Sequence, residues 1–281
     1  MIIDILSDLH LDFYFPQEIE ADIDAVKSIF DPIFFDNKKR NTGDVLIIAG
    51  DIGHYNQQNI EVLKIFQQEY YKHIVCVLGN HDYYLVNKSQ EEQYNRNSFN
   101  RVREMRELIN NEDDMYCLNG TLIEIKGVKI GGCDSWYSKA YLQMKYPLNT
   151  PDRKSINTLW KSSNNDSRYI FGVESFDDIY NIECSKIEDI YKKCDVMITH
   201  INPSCKDKHI SPSYRNQDSN TFFTFNAERF MAVANMKYWI FGHTHSEIEY
   251  EHHGVKCICN PFGYPAESSY GDDVWIKSIE I

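Results

Sequence analysis

The sequence predicts an α/β protein in which two β-sheets pack together and helices cover their outer faces. Two observations indicate this class. In the first half of the chain, short apolar runs alternate with segments of helical periodicity, as expected for strand–helix units. In the second half, strand–helix pairs are accompanied by two hairpin patterns, which are typical of a second sheet. We expect a single domain spanning residues 1–281, a length that suffices for a large buried core.

The first half is predicted to contain three buried strands and two helices. Residues 2–7, 45–49 and 74–78 are largely apolar runs that end at a polar residue or a glycine, as in strands covered on both faces. Residues 59–72 carry apolar side chains at helical spacing and would form the crossover between the second and third strands. Residues 93–109 show the same spacing and predict one continuous helix.

The second half is predicted to add hairpins to strand–helix pairs. In chain order its elements are a hairpin at 121–125 and 128–131, a helix at 175–192, a strand at 196–199, a helix at 226–234, a strand at 238–241, a hairpin at 248–252 and 255–259, and a strand at 273–281. Both helices lead directly into a strand, so the alternation of the first half continues here.

Two long segments do not fit this alternation. Residues 134–171 are polar and aromatic, and residues 202–223 are polar and contain prolines. Each follows a predicted strand on the side where polar motifs occur. Long irregular segments in such places often form lids or substrate loops, and we expect both to be lid insertions in the domain. The alternative is a packed excursion that never touches a substrate.

The net charge of −13 bears on the partners of the chain. Proteins that bind long nucleic acids usually carry a basic stripe, and the only run of three basic residues here is Lys38-Lys39-Arg40. We interpret that run as a solvated loop. A long nucleic acid is therefore disfavoured as a partner, whereas a small phosphate ester or a nucleotide remains compatible with the acidity.

The eight cysteines and the apolar runs indicate the cellular compartment and whether the chain crosses a membrane. The cysteines form no C-x-x-C pair, and the N-terminus reads as a first strand rather than a secretory signal, so a disulfide framework is not expected. Most of them should be small core residues. No apolar run approaches the roughly 20 residues that cross a bilayer. We expect a cytoplasmic protein without a membrane segment; the sequence makes no prediction of its oligomeric state.

Polar motifs follow five of the predicted strands. In chain order they are Asp8-Leu9-His10, Gly50-Asp51, Gly79-Asn80-His81-Asp82, Thr199-His200 and Gly242-His243-Thr244-His245. Sites in α/β sheets form at the carboxyl ends of strands, so these side chains could converge. Carboxylates, an amide oxygen and imidazoles together are the ligand set of a hydrolytic site with two metal ions. Taken singly, each residue could instead be a helix cap, a turn residue or a structural histidine.

In this order the motifs resemble those of the calcineurin-like metallophosphoesterases, and the match spans residues 7–245. The resemblance, to a bacterial or phage-type small phosphoesterase or phosphodiesterase, implies two mixed β-sheets packed as a sandwich and flanked by helices. It implies a bridging role for Asp51 and places the other ligands by position: Asp8, His10 and His245 on the first metal, and Asn80, His200 and His243 on the second. It also implies that a metal-bridging hydroxide attacks phosphorus, and that His81 protonates the leaving oxygen or stabilises the transition state.

The resemblance implies a metal-dependent hydrolase of phosphate mono- or diesters, with two divalent ions as cofactors. Mn²⁺ is the first choice, and Fe, Zn²⁺ and Ni²⁺ also suit these ligands. Two other readings stay open: a DNA or RNA nuclease of the same superfamily, and a non-catalytic metal-binding scaffold. A scaffold has no need of all seven ligand positions and His81, which favours the enzyme. The Asp-Arg pair of protein phosphatases is missing after Gly50-Asp51-Ile52-Gly53-His54.

Four residues are candidates for contact with substrate: Asn80, His54, Arg168 and Arg215. His54 could point into the cleft or be solvated. The two arginines lie in the candidate lids, where they could bind a phosphate; exposed surface arginine is the alternative. Asp82 could orient His81 or cap the segment that follows it.

Overall fold

Two β-sheets form the framework of the protein. The computed structural model describes residues 1–15, 22–35, 41–267 and 276–281. In chain order its strands are β1 (Ile2–Leu6), β2 (Val45–Ala49), β3 (His73–Val77), β4 (Met115–Cys117), β5 (Thr121–Ile125), β6 (Val128–Gly132), β7 (Val196–Ile198), β8 (Tyr238–Phe241), β9 (Ile248–His252), β10 (Val255–Cys259) and β11 (Lys277–Glu280). The first sheet has the order β11-β1-β2-β3-β4, and the second has the order β5-β6-β7-β8-β10-β9.

Both sheets are mixed. In the first, β1, β2, β3 and β4 are parallel and β11 runs antiparallel beside β1. In the second, β6, β7, β8 and β10 are parallel, while β5 and β9 are antiparallel strands at the two edges. The predicted fold class, two mixed sheets flanked by helices, is confirmed.

The α-helices of the described residues complete the layers. They are α1 (Ile23–Phe35), α2 (Asn56–Glu69), α3 (Lys88–Gln93), α4 (Ser98–Asn110), α5 (Ala140–Lys145), α6 (Arg153–Ser163), α7 (Asp166–Tyr169), α8 (Tyr180–Ile190) and α9 (Glu228–Met231). No helix among the residues that the structure describes is long and apolar enough to cross a membrane.

The core lies in two layers because the strands are buried on both faces. Ile3 and Ile47 of the first sheet pack with Ile198 of the second in a layer between the sheets. Neighbouring residues such as Leu46 face the other way, into a larger cluster under the helices. Burial of each such side chain contributes about 1.5–3 kcal/mol. This explains why the first three strands read as continuous apolar runs.

Several predicted boundaries are wrong, for local reasons. The helix expected at 93–109 begins only at Ser98, as α4, because Asn95 and Arg96 have φ of 54° and 52° and Asn97 caps α4. Helix α3, which ends at Gln93, was not predicted. The helix expected at 175–192 starts later, since Asp178 accepts the backbone N–H of Ser175 in a turn before α8. The helix expected at 226–234 is reduced to α9.

The two segments predicted to be lids contain short helices, and two other predictions lie outside the described residues. The segment 134–171 is not irregular: it contains α5, α6 and α7. The segment 202–223 carries three short 3-10 helices, Asp207–His209, Pro212–Tyr214 and Asp218–Phe222. The Lys38–Lys39–Arg40 run and the start of the predicted final strand lie outside the described residues. All eight cysteines are free and buried, as expected.

Candidate metal centre

The five motifs meet at one edge of the molecule because parallel strands end there in both sheets. The motif loops after β1, β2 and β3 lie beside one another, and those after β7 and β8 lie opposite them. The backbone N–H of His243 donates to Asp8 Oδ1 at 2.9 Å, which ties the second sheet to the first. Asp8 N–H donates to Gly50 O at 3.0 Å and Gly242 N–H to His200 O at 2.8 Å. These bonds fix the loops relative to one another.

Two groups of potential metal ligands result. Asp8, His10, Asp51 and His245 form the first, and Asp51, His200 and His243 form the second. Within each group the ligand atoms lie within 4.8 Å of one another. Asp51 belongs to both groups, so its carboxylate lies where a bridging ligand would lie.

The donor atoms fit a pair of cations. Asp51 Oδ2 is buried without a hydrogen bond, 3.7 Å from His10 Nε2 and 3.4 Å from His200 Nε2. The Nε2 atoms of His10 and His245 face each other at 3.0 Å. A buried carboxylate oxygen left without a partner costs about 1–3 kcal/mol or more. A cation among these atoms would satisfy the orphaned oxygen and the facing imidazoles together.

Three of the imidazoles are oriented through their second ring nitrogen. His200 Nδ1 is 2.9 Å from Ala49 O, and His243 Nε2 is 3.0 Å from Phe222 O. His245 Nδ1 is 2.6 Å from the Glu267 carboxylate. Each acceptor holds an N–H on its own side of the ring, which turns the other ring nitrogen toward the cluster.

Asn80 is oriented by a residue that the sequence did not predict. Its Nδ2 donates to Asp166 Oδ1 at 2.8 Å, and its Oδ1 faces His200 Nε2 at 3.0 Å. Asp166 is fully buried on α7, within the segment expected to be a lid. It also accepts hydrogen bonds from Tyr84 and Tyr137. No local pattern around Asp166 marks it, because its partners lie 29 or more residues away in sequence.

The backbone of the site is strained. Five of the seven predicted ligands have left-handed backbone conformations: Asp8 (φ 53°), His10 (φ 44°), Asp51 (φ 55°), His243 (φ 70°) and His245 (φ 45°). This region is uncommon for residues with a side chain and costs of order 1–3 kcal/mol each. Strain of this kind clusters at functional sites, where the surrounding structure enforces it.

Two glycines of the motifs allow the Asp51 and His200 side chains to lie close to the backbone. A Cβ on Gly79 would lie 2.2 Å from Asp51 Oδ1, and one on Gly50 would lie 2.4 Å from His200 Nδ1. Gly50 also has φ of +89°, which disfavours any side chain. The glycines of the motifs therefore keep the space that the Asp51 and His200 side chains occupy.

His81 lies at the end of a chain of hydrogen bonds. Its Nδ1 is 3.0 Å from His54 Nε2, and His54 Nδ1 is 2.7 Å from Asp12 Oδ2. Asp12 also accepts the backbone N–H of His54 at 3.0 Å. His54 is thus a partner of His81 rather than a solvated residue. The remaining nitrogen of His81, Nε2, is 3.4 Å from the hydroxyl of Tyr264.

Asp82 caps backbone groups instead of orienting His81. It accepts N–H groups of Gly79 at 2.8 Å, Ile52 at 3.2 Å and Gly53 at 3.3 Å. Arg101, which the sequence did not single out, is fully buried and donates to the carbonyls of Gly53 and His81. Together Asp82 and Arg101 join the loops after β2 and β3.

The pKa values of the buried histidines shift in opposite directions. Burial lowers the pKa of His10 and of His243 to about 3, so both rings are neutral. Burial also lowers the pKa of His200, but the charge of Asp51 outweighs it and raises that pKa to about 10. Burial raises the pKa of Asp51, and the neighbouring histidines, His200 first, reverse this and hold it well below the usual range. Asp51 is therefore ionised at the centre of the cluster.

A cavity of about 400 Å³ opens beside the cluster. Asp51, Asn80, His81, His243 and His245 form its floor. Both segments expected to be lids contribute to its walls, the first through residues 163–165 and the second through residues from Ile210 to Phe223.

The predicted arginine contacts are not part of this cavity. Arg168 is exposed on α7, and Arg215 is exposed and donates to Ile210 O at 3.1 Å. Neither side chain lines the cavity among the residues that the structure describes. The interpretation as surface arginine therefore fits them better than phosphate binding. Of the other candidates, Asn80 lines the cavity and His54 contacts it through His81.

Comparisons with known proteins match most of the chain. A family model described as calcineurin-like phosphoesterase matches residues 1–247. The uncharacterized protein L509 of Acanthamoeba polyphaga mimivirus is 25% identical over an alignment of 283 residues, gaps included. The alignment covers 93% of this chain and 91% of the relative. Phosphopantetheinyl hydrolase from Mycobacterium tuberculosis superposes with a TM-score of 0.65 at 14% identity, covering 99% of this chain and 95% of that one. A putative 5′-nucleotidase from Staphylococcus aureus superposes with a TM-score of 0.44 at 12% identity, covering 92% of this chain and 48% of that one.

Proposed function

This chain belongs to the calcineurin-like phosphoesterase family, and from that premise we propose that it hydrolyses a phosphate mono- or diester with the help of two divalent cations. The proposed ligands are Asp8, His10 and His245 for the first cation, Asn80, His200 and His243 for the second, and Asp51 for both. The observation that carries the proposal is the position of Asp51, whose unpartnered Oδ2 lies within 4 Å of imidazoles from both groups.

The residues around the cations would have separate roles in binding them and in orienting their ligands. When bound, two such cations neutralise the charge of a phosphate and acidify a water molecule. Asp51 holds the shared position, and the backbone N–H of His81 fixes its other oxygen at 2.8 Å. Asp166 keeps the oxygen of Asn80 turned inward. The orienting acceptors limit how far each ligand can rotate, so the geometry for binding exists before the substrate arrives.

His81 is our candidate for proton transfer. It lines the cavity, and its Nδ1 is engaged with His54, so its Nε2 is the nitrogen available to a leaving oxygen. Protonation of that oxygen, or stabilisation of the charge that develops on it, is the role we assign to His81. His54 and Asp12 would act through His81 by fixing its ring orientation.

The metal and the location are further parts of the proposal. Nitrogen and oxygen donors of this kind suit Mn²⁺ first, with Fe, Zn²⁺ and Ni²⁺ as alternatives. Eight free, buried cysteines support a reducing compartment, and we propose the cytoplasm. The alcohol portion of the ester would lie in the cavity beside the cluster, and a small ester or nucleotide would fit there.

One panel of assays tests the function. The Mn²⁺-loaded protein is incubated with a phosphate monoester, a phosphodiester, cyclic nucleotides and single-stranded DNA. We expect hydrolysis of a small ester, loss of that activity with a chelator, and its return with added Mn²⁺. The relative rates on the monoester and the diester decide between the two ester classes.

Two outcomes would favour the other candidates. Cleavage of DNA in preference to every small ester, with binding that weakens as salt is raised, would indicate a nuclease. Stoichiometric metal binding without hydrolysis of any member of the panel would indicate a scaffold.

A further inference from the structure

The walls of the cavity beside the metal centre contain no basic side chain among the described residues. We propose that this cavity selects an ester whose alcohol is uncharged and rich in hydrogen-bonding groups, and that it discriminates against alcohols with a second anionic group. The inference rests on the proposed function, since it concerns the part of the substrate that lies beyond the phosphate.

The charge of the walls is the first argument. Apart from the residues of the metal motifs, the one side chain that lines the described cavity and carries a charge near neutral pH is Glu267. Its carboxylate Oε2 accepts from His245 Nδ1 and from the backbone N–H of Tyr264. Among the described residues, an anionic alcohol would therefore meet a carboxylate and no lysine or arginine.

The charge at the floor leaves no surplus for a second anion. Asp8 and Asp51 offset half the charge of two divalent cations, and the dianion of a phosphate monoester offsets the rest. A further negative group on the same ligand would gain little attraction from the cluster while it loses its hydration shell.

Neutral polar groups make up much of the walls. Asn165 is exposed at the start of α7, and its side chain makes no cap hydrogen bond. Asn164 uses its Oδ1 for the N–H of Asp166, so its amide N–H groups can donate to a ligand. Gln217 donates to Ser213 O, so its amide oxygen can accept from a ligand. Donors and acceptors of this kind pair with amide or hydroxyl groups on a ligand.

Apolar surface completes the walls close to the metal motifs. The ring of Phe223 packs against the His243 ring with centroids 4.7 Å apart, and it lines the cavity. Ile210 and the half-exposed Tyr214 lie on the same segment. The cavity thus offers contact area for carbon atoms between neutral hydrogen-bonding positions, which is the usual composition of a site for a small uncharged moiety.

A matched pair of unhydrolysable ligands tests the inference. The probes are 4-carbamoylbenzylphosphonate and 4-carboxybenzylphosphonate, which have nearly the same shape and differ by one charge when the carboxyl group is ionised, at about pH 7.5. Their Kd values for the Mn²⁺-loaded protein are measured by calorimetric titration. We expect the carbamoyl compound to bind about tenfold more tightly.

A charge placed in the wall should change this preference. Asn165→Lys adds a cation at a residue that lines the cavity and makes no side-chain cap hydrogen bond, and it should remove or reverse the preference for the carbamoyl compound. Ser185→Lys adds the same charge on the exposed face of α8, outside the cavity lining, and should leave the ratio of the two Kd values unchanged.

The outcomes separate this inference from the proposed function. Equal binding of the two phosphonates, tighter binding of the carboxylate, or an equal response to Ser185→Lys would overturn the inference even if esters are hydrolysed. Failure of both probes to bind a protein that hydrolyses 4-nitrophenyl phosphate would also overturn it. A preserved preference without any hydrolysis would support the binding site and count against the enzyme.

Discussion

Asn80 and Asp166 are joined by a hydrogen bond of 2.8 Å between the amide nitrogen of one and a carboxylate oxygen of the other. The amide of asparagine can present either its oxygen or its nitrogen, and only the oxygen can bind a cation. A buried carboxylate on the opposite side accepts from the nitrogen and so selects the orientation that turns the oxygen inward. The segment that contains α7 therefore supports the metal centre as well as the wall of the cavity.

Asp166→Asn should weaken the second metal position. The new amide no longer requires the nitrogen of Asn80 as its donor, so Asn80 can rotate away. Loss of such an orienting partner typically lowers metal affinity by about 10–100-fold. Calorimetric titration with Mn²⁺ measures the loss. Asp177→Asn, at an exposed pair with Arg153, is the matched control and should bind both ions normally. Unchanged affinity in a folded Asp166→Asn protein would contradict the orienting role.

Asp51 is the second residue for substitution, because it is the proposed ligand shared by both groups. Asp51→Asn removes the negative charge between His10 and His200 and should abolish hydrolysis and weaken binding of both ions. Equilibrium dialysis followed by elemental analysis gives the number of bound ions per chain. Two ions retained at full stoichiometry, together with normal turnover, would contradict the bridging role.

The residues that sequence reasoning located are those fixed by local pattern. An apolar run predicts a buried strand, its end is marked by a glycine or a polar residue, and the parallel arrangement brings the ends together. Asp51 and His200 could be placed on this basis although they are far apart in the chain. The break between α3 and α4 was missed because Asn95 and Arg96 carry no glycine or proline signal.

The residues that were missed depend on packing over long sequence distances. Asp166 is 86 residues from Asn80, and Arg101 is 48 residues from Gly53, the carbonyl of which it binds. A single Asp or Arg on a helix has no pattern that distinguishes it from a surface residue. Helix α1 was missed because Pro32 lies inside it.

His81→Asn tests proton transfer apart from metal binding. The variant should keep both ions, since His81 belongs to neither ligand group, yet its kcat should fall by about 10²-fold or more. His54→Ala should have a smaller effect of the same kind, lowering kcat while KM stays near its original value, because His54 only holds the His81 ring. Steady-state kinetics at saturating Mn²⁺ give both numbers. Normal turnover of His81→Asn would remove it from the mechanism.

The left-handed backbone at the ligands predicts a stability difference between two truncations of His245. Both His245→Ala and His245→Gly delete the imidazole, but alanine must still adopt a φ near 45°, which glycine does without a Cβ clash. The metal-free glycine variant should therefore be more stable than the alanine variant by about 1 kcal/mol. Urea unfolding of the two metal-free proteins measures the difference. The reverse order would show that the backbone relaxes once the side chain is lost.

His200 links metal uptake to pH. Burial lowers its pKa, but the charge of Asp51 raises the pKa to about 10, above the value of about 6.5 in an unfolded chain. In the metal-free protein this pair therefore stabilises the fold fully below about pH 6.5, and the stabilisation is lost as the pH rises through about 10.

A cation requires the neutral ring, so binding at pH 7 must release a proton from His200, whereas His10 and His243 are already neutral. Release of this proton predicts that Mn²⁺ affinity increases by about tenfold or more per pH unit between pH 7 and 9. Titration calorimetry in two buffers of different ionisation enthalpy counts the released protons directly. An affinity that does not change over this pH range would show that the metal does not displace a proton from His200.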